Sequence, residues 1–257
     1  MDQHPCRPGY TGDRMKALPF ALTPAPTRFG LVVLQSDETI ELDFHQMRQN
    51  CEIFVSRVPS GDTVTPESLR MMEAHVEHSA ALFPTTCTLA AVGYGCTSGT
   101  AQIGADQIAA KVQAGHATRR VTNPLSALIA ACDAMNIRNL ALLSPYIETV
   151  SGRMRERLED AGITTPTFGS FEEAEEAKVA RIDGASIQQA ARDLVQGSKT
   201  EGLFLSCTNL RTMDVITDLE LELGIPVLSS NQVLAWYMGK LAKTPDAFHG
   251  PGVLFRA

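Results

Sequence analysis

AVGYGCTSGT at 91–100 and LFLSCTNLRT at 203–212 are the two stretches that decide the fold of this 257-residue chain. Each is a short, mostly apolar run that ends in Cys-Thr, and such runs are typical of strands buried on both faces of a parallel sheet. Similar runs, separated by helical patterns, lie at 29–34, 52–58, 139–143, 163–168 and 226–229. This alternation predicts an α/β fold in which helices cover parallel sheets.

The chain contains two copies of one unit. GLVVLQSD at 30–37 precedes Cys96 in the first copy, and NLALLSPY at 139–146 precedes Cys207 in the second. The last residues of these openings, Asp37 and Tyr146, precede their cysteines by 59 and 61 positions. The matching separations predict two related domains. Because ligands bind beyond the carboxyl ends of parallel strands, we expect one cysteine on each side of a shared cleft.

The repeat also predicts the domain boundaries. Residues 1–27 are rich in Pro, Gly and Thr without any period, which is typical of an N-terminal arm. We assign 28–121 together with 230–257 to the first α/β domain and 122–229 to the second.

Composition narrows the classes of function. The chain is 44% hydrophobic and 20% charged, as in ordinary soluble domains, and its net charge of −7 argues against a nucleic-acid partner. No apolar run approaches the roughly 20 residues of a membrane helix, and the first residues do not resemble a secretion signal. We therefore expect a cytoplasmic protein whose cysteines are free thiols.

The positions of two cysteines suit a reactive thiolate. Cys96 and Cys207 each end a strand, and each is followed by capping residue types that predict the start of a helix. Backbone N–H groups at a helix start favour negative charge, so we expect the pKa of both thiols to be lowered. The spacing of the cysteines matches no zinc motif, so no metal site is predicted. The other cysteines are interpreted as core residues or, in the arm, as a tail residue: Cys51, Cys87, Cys132 and Cys6.

Four motifs carry a resemblance to the aspartate/glutamate racemase superfamily, in the branch of maleate cis–trans isomerase and arylmalonate decarboxylase. CTSGT at 96–100 and SCTNLRT at 206–212 resemble the two cysteine motifs of the isomerase. SPYIE at 144–148 and GIPVLSSNQVLAWYMGKLA at 224–242 are similar to elements of both enzymes. The chain is also similar to ectoine-utilisation proteins of the superfamily.

The resemblance implies two flavodoxin-like domains related by pseudo-two-fold symmetry, with the active site in the interdomain cleft. It also implies a cofactor-independent reaction and is compatible with a homo-oligomer. Cys96 would be the nucleophile or one acid/base, and Cys207 the opposing acid/base. The residues that would bind the substrate carboxylate are Thr97, Ser98, Tyr146, Thr208 and Asn209.

Two acidic residues depart from the isomerase pattern. Asp37 stands where the isomerase has an amide, and Glu176 aligns with an asparagine of that family. An ionised Asp37 cannot donate to a substrate carboxylate, but it can accept from a substrate ammonium group. This difference favours an amino acid or its derivative over a plain dicarboxylate. A helix-capping aspartate is the alternative interpretation of Asp37.

The sequence therefore predicts a racemase or cis–trans isomerase that acts on a small carboxylate or amino-acid derivative through two opposing cysteines. A maleate isomerase that works through a covalent cysteine adduct is one alternative. The alternative of another class is a non-catalytic module that binds a small acid. A decarboxylase is disfavoured, because the decarboxylases of this branch have glycine at the position of Cys96.

Overall fold

A computed structural model describes residues 18–257, so most of the predicted arm and Cys6 lie outside the described residues. Within that range the predicted apolar runs form parallel strands, which confirms the α/β prediction. The strands are Thr27–Leu34 (β1), Cys51–Val58 (β2), Ala91–Gly95 (β3), Val121–Thr122 (β4), Leu140–Ser144 (β5), Phe168–Ser170 (β6), Gly202–Leu205 (β7) and Val227–Ser229 (β8).

Helices connect the strands and cover the sheets. They span Ile40–Met47 (α1), Pro66–Met71 (α2), Glu73–Ala81 (α3), Thr97–Ile103 (α4), Ala105–Gly115 (α5), Pro124–Ala134 (α6), Glu148–Asp160 (α7), Glu176–Val179 (α8), Gly184–Val195 (α9), Ile216–Leu223 (α10) and Ser230–Ala242 (α11). Short 3-10 turns follow at Pro245–Ala247 and Leu254–Arg256. In residues 18–257 we find no helix with the length and apolar character needed to cross a membrane.

The strands form two separate sheets with the same order. The first sheet runs β2-β1-β3-β4 and the second runs β6-β5-β7-β8, and every pairing within them is parallel. In both, the first strand of the unit lies beside the strand that ends at a cysteine. This is the strand order of flavodoxin-like folds. The duplication read from the sequence therefore corresponds to two sheets of equivalent topology.

Three local predictions differ from the structure. The run at 163–168 forms strand only from Phe168, and Thr164 makes a single bridge to Asn139. The two-residue strand β4 was not predicted, because two residues are too few to show a period. No helix starts directly after Cys207: turns follow it, and α10 begins only at Ile216. Capping residue types alone did not distinguish a helix start from a polar turn.

Helix α11 joins the two halves of the molecule. It follows β8 of the second sheet but packs on β3 and α1 of the first, where Leu234 and Met238 belong to the core around Phe29. On another face, Val233 packs in the core around the second sheet. Nine of its thirteen residues are buried, so the helix is covered nearly all round. Helix α11 also packs extensively on α6, so it contacts both halves, and its assignment to the first domain stays a proposal.

The close packing of α5 on α3 gives a stability prediction. A Cβ placed on Gly115 would lie 2.2 Å from the carbonyl oxygen of Glu77 and 2.9 Å from Cβ of Ala80. We expect Gly115→Ala to lower the free energy of unfolding by about 3 kcal/mol, because two backbones must separate.

Chemical denaturation of Gly115→Ala and of a matched variant checks this prediction. Gly152 lies inside α7 and has nothing within 4 Å of an added Cβ, so Gly152→Ala should raise the free energy of unfolding by about 0.5–1 kcal/mol. Equal stability of the two variants would contradict the predicted contact between α5 and α3.

Candidate active site

The carboxyl ends of the two sheets meet at a small, tightly closed cavity of about 10 Å³, roughly the space of one water molecule. It contains both cysteines that the sequence singled out, together with most of the predicted binding residues. Its wall is formed by Leu34, Asp37, Cys96, Thr97, Ser98, Tyr146, Glu176, Cys207 and Thr208. Asn209 is the one predicted site residue outside this wall. The structure thus brings residues from both halves of the chain, more than 150 positions apart, into one cavity.

Cys96 lies at the junction of β3 and α4. It is the N-cap residue of α4, and its Sγ accepts a hydrogen bond from the backbone N–H of Gly99 at 3.1 Å. The side chain is buried, with 5% of its surface exposed. The sequence prediction of a cysteine at a helix start is therefore confirmed for Cys96.

Cys207 lies at the equivalent end of β7 but in a different backbone conformation. Its φ angle is +120°, in the left-handed region that residues with a side chain rarely adopt. Its backbone N–H donates to Oγ of Ser230 at 2.9 Å, and its Sγ accepts from the N–H of Asn209 at 3.3 Å. Contacts with other elements therefore hold Cys207 in place without a helix.

Burial, rather than the helix start, dominates the chemistry of both thiols. It raises the pKa of Cys96 to about 12, although the N–H of Gly99 opposes the shift. Burial also raises the pKa of Cys207 well above its usual value, and the negative charge of Glu176 adds to the effect. The expectation of lowered pKa values was wrong, because the cost of burying a charge exceeds the benefit of one or two N–H donors.

Asp37 has the contacts of the helix-capping interpretation, while its role in substrate binding stays a prediction. Its Oδ1 accepts from the backbone N–H groups of Thr39 and Ile40, each at 2.8 Å, so it supports the start of α1. Its Oδ2 is buried and has no hydrogen-bond partner among the described residues. The nearby hydroxyl of Thr208 donates to the carbonyl of Gly95 at 3.3 Å. Burial raises the pKa of Asp37, and the two N–H groups oppose that shift.

Glu176 is the cavity residue that the sequence reasoning did not select. Its Oε1 accepts from the hydroxyl of Tyr146 at 2.8 Å, and its Oε2 accepts from Nδ2 of Asn209 at 2.7 Å. Only 3% of its surface is exposed, and burial raises its pKa. The alignment with a family asparagine was the available signal. The acidic segment around Glu176 obscured it, since such segments usually face solvent.

Two residues at the start of α11, which the sequence did not predict, connect the two cysteine segments. Oγ of Ser230, on α11, lies 2.8 Å from Oγ1 of Thr97 and accepts from the N–H of Cys207. Nδ2 of Asn231 donates to the carbonyl of Thr208 at 2.8 Å. The hydroxyl of Ser98 makes no hydrogen bond to any described residue, so it is free to meet a ligand. Helix α11 therefore sets the spacing between the two halves of the site.

The cavity is acidic and carries no compensating cation. Among the described residues, its wall includes two carboxyl groups and two thiols but no Lys, Arg or His. Within residues 18–257, no group of three or more His, Cys, Asp or Glu side chains has the arrangement of a metal site. Such a cavity favours a ligand that brings its own positive charge. The two thiols supply groups that can move protons or attack carbon.

Comparisons with known proteins agree with this geometry. The chain is 26% identical to the maleate isomerase of Nocardia farcinica over 248 residues, which is 89% of this chain and 95% of the relative. It is 29% identical to the arylmalonate decarboxylase of Bordetella bronchiseptica over 122 residues, 47% of this chain and 51% of that protein.

A solved structure of the Nocardia farcinica isomerase superposes with a TM-score of 0.79 at 25% identity, and the match covers 90% of this chain and 98% of that one. That structure is a cysteine-to-serine variant with a covalently bound succinylcysteine intermediate.

Two equivalent parallel sheets that meet at one cavity are the architecture of the aspartate/glutamate racemase superfamily, which the solved structures of maleate isomerase and arylmalonate decarboxylase share. The family model for arylmalonate decarboxylase matches residues 72–255, most of the chain. The chain therefore belongs to the arylmalonate decarboxylase family.

Proposed function

We propose that the protein is a cofactor-independent racemase of a small α-amino acid or amino-acid derivative. The observation that carries this proposal is the buried, unpartnered Oδ2 of Asp37 in a cavity without a cation. A buried carboxylate oxygen of this kind is suited to accept from a substrate ammonium group. The two thiols then act on the carbon atom that carries this ammonium group.

In this mechanism, one cysteine thiolate removes the Cα proton and the opposing thiol returns a proton on the other face. Cys96 and Cys207 come from different sheets, which suits a substrate held between them. In this proposal the hydroxyl of Ser98, in the cavity wall, binds the substrate carboxylate. When the substrate ammonium binds, it adds a positive charge next to acidic groups. This charge lowers the pKa of the buried thiols and promotes the thiolate that the reaction needs.

A cis–trans isomerase is the second candidate, supported by the extent of the match to the maleate isomerase. In that reaction a thiolate adds to one alkene carbon, the central bond rotates, and elimination restores the double bond and the thiolate. A dianionic substrate would meet Asp37 and Glu176 and would require both to be neutral. Burial raises the pKa of both carboxyl groups, so binding a dianion would require less free energy to protonate them than it would for exposed carboxylates.

The two candidates predict different signals in D₂O. A racemase incorporates deuterium at Cα of an amino acid while the optical rotation decays, whereas the covalent isomerase converts maleate to fumarate without deuterium in the product. We expect Cα exchange with at least one of a panel of small amino acids, followed by NMR. The double variant Cys96→Ala/Cys207→Ala is the blank. Fumarate formation without any amino-acid exchange would reject the racemase in favour of the isomerase.

A further inference from the structure

A chain of hydrogen bonds runs from Cys207 to Glu176 through the wall of the cavity. The hydroxyl oxygen of Tyr146 lies 3.0 Å from Sγ of Cys207 and 2.8 Å from Oε1 of Glu176. All three side chains are buried, with at most 4% of their surface exposed. A hydroxyl that touches both a thiol and a carboxyl group can pass a proton between them without any movement of heavy atoms.

Asn209 fixes which oxygen of Glu176 can carry a proton. Oδ1 of Asn209 accepts from the backbone N–H of Glu38 at 2.8 Å, so Nδ2 must face the carboxyl group. Because Nδ2 can only donate, Oε2 of Glu176 stays an acceptor. A proton on Glu176 therefore lies on Oε1, the oxygen that contacts Tyr146.

Simultaneous negative charges on Glu176 and Cys207 are strongly disfavoured. Burial raises the pKa of both groups, and the charge of Glu176 raises that of Cys207 further. The other titratable groups that face this pair are Asp37, after β1, and Cys96, after β3, in addition to Tyr146, after β5. None of these groups carries a positive charge that could offset a second negative one. Ionisation of Glu176 therefore makes ionisation of Cys207 less favourable, and the reverse also holds.

We propose that Cys207 and Glu176 share a single proton through the hydroxyl of Tyr146, with Glu176 as a positioning residue for the reaction at Cys207. In one form, the thiol donates to the oxygen of Tyr146, whose hydroxyl donates to the carboxylate. In the other, the carboxylic acid donates to Tyr146, whose hydroxyl donates to the thiolate. The conversion breaks the S–H bond, forms an O–H bond on Glu176 and exchanges the proton of Tyr146, so the net charge of the three groups stays at −1.

The catalytic meaning of this sharing rests on the proposed two-thiol function. Cys207 acts as a base only while Glu176 is neutral, and the relay returns it to the thiol form without a proton from bulk water. Among the described residues, Cys96 has no hydrogen bond to a side-chain hydroxyl, and its Sγ accepts from the backbone N–H of Gly99. The two thiols are therefore inequivalent, because only the protonation state of Cys207 is coupled to that of Glu176.

Glu176→Gln tests the proposal because the amide can adopt only one orientation. Its oxygen must face Nδ2 of Asn209, so its nitrogen donates to Tyr146, which reproduces the donor pattern of the neutral acid. We expect Cys207 to become more reactive in this variant, by about tenfold for each pH unit above the pKa of Glu176. Turnover should fall at the same time, because an amide cannot take up the proton.

The measurement is the pH profile of iodoacetamide alkylation at each cysteine, with peptides resolved by mass spectrometry. Cys207 is the single cysteine of the tryptic peptide 200–211. We expect a two-step profile for wild-type Cys207 and a single step in Glu176→Gln, while the profile of Cys96 keeps its shape. Glu175→Gln, an exposed neighbouring change, should match wild type. Ultraviolet absorbance of the thiolate, taken against Cys207→Ala, follows the same titration without a reagent that must enter the cavity.

Tyr146→Phe gives an independent second variant, in which Cys207 loses its hydroxyl donor. We expect the low-pH step of Cys207 to shrink about tenfold, because the thiolate is then stabilised by the N–H of Asn209 alone. A Cys207 profile that is identical in wild type and Glu176→Gln would overturn the proposal. Neither readout needs a substrate, so failure of the racemase proposal would leave this test intact.

Discussion

Cys207→Ala is expected to lower racemisation by a factor of about 1,000 or more, and Cys96→Ala should do the same. Each variant removes the acid or base that acts on one face of the substrate. The two losses should not add in the double variant, because the thiols act as one unit. Steady-state kinetics on both enantiomers measures these effects.

The single variants should also differ in a way that a general loss of folding cannot produce. With one thiol left, deuterium exchange at Cα should persist for one enantiomer only, and the opposite enantiomer should respond in the other variant. Cys132→Ala is the matched control, because Cys132 is a fully buried cysteine of the core around α6. Its turnover should stay close to wild type. Wild-type turnover in Cys96→Ala or Cys207→Ala would reject the two-thiol mechanism.

Asp37→Asn is expected to reduce kcat/KM for an amino acid by a factor of about 100 to 1,000, since it leaves a buried ammonium group without its carboxylate partner. The fold should be retained. The amide oxygen of asparagine can still accept from the N–H groups of Thr39 and Ile40, as Oδ1 does now. The new NH₂ group would then replace Oδ2 in the cavity. Kinetics is measured with the amino acid and with its deaminated analogue. Loss of the contact between Asp37 and the substrate ammonium group should affect only the amino acid, whereas a general loss of activity should affect both.

Asp183→Asn is the matched control for Asp37→Asn. Asp183 caps α9, where its Oδ1 accepts from the N–H of Ser186 at 2.7 Å, and it lies outside the cavity. Both variants should unfold at similar denaturant concentrations to wild type, and only Asp37→Asn should change turnover. An equal kcat/KM in Asp37→Asn and wild type would show that Asp37 serves only the start of α1.

Much of the architecture was predictable from local sequence. Apolar runs that end in Cys-Thr, at matching distances from Asp37 and Tyr146, predicted two equivalent parallel sheets, and the structure confirms them. Apolar runs and the spacing of a repeat are visible in the sequence, so predicting the two sheets needed no tertiary information. The same spacing predicted that Cys96 and Cys207 would share a cavity, which they do.

Other features depended on contacts between distant residues. Glu176 looked like part of a solvated acidic segment, but Tyr146 and Asn209 hold it in the cavity. The helix predicted after Cys207 is absent. The N–H of Cys207 donates to Oγ of Ser230 and the N–H of Asn209 donates to Sγ of Cys207, and these hydrogen bonds hold that segment instead.

The sequence by itself determined the fold, the duplication and the pairing of the two thiols, because periodicity and spacing are local properties. Only the tertiary structure decided the electrostatics of the site. A pKa depends on every charge and dipole around a group and on its distance from water, and these are set when both halves of the chain close on one cavity. Burial of four acidic groups without a cation in the cavity wall therefore reversed the predicted shift of the thiol pKa values, and it is the basis on which we propose a positively charged substrate.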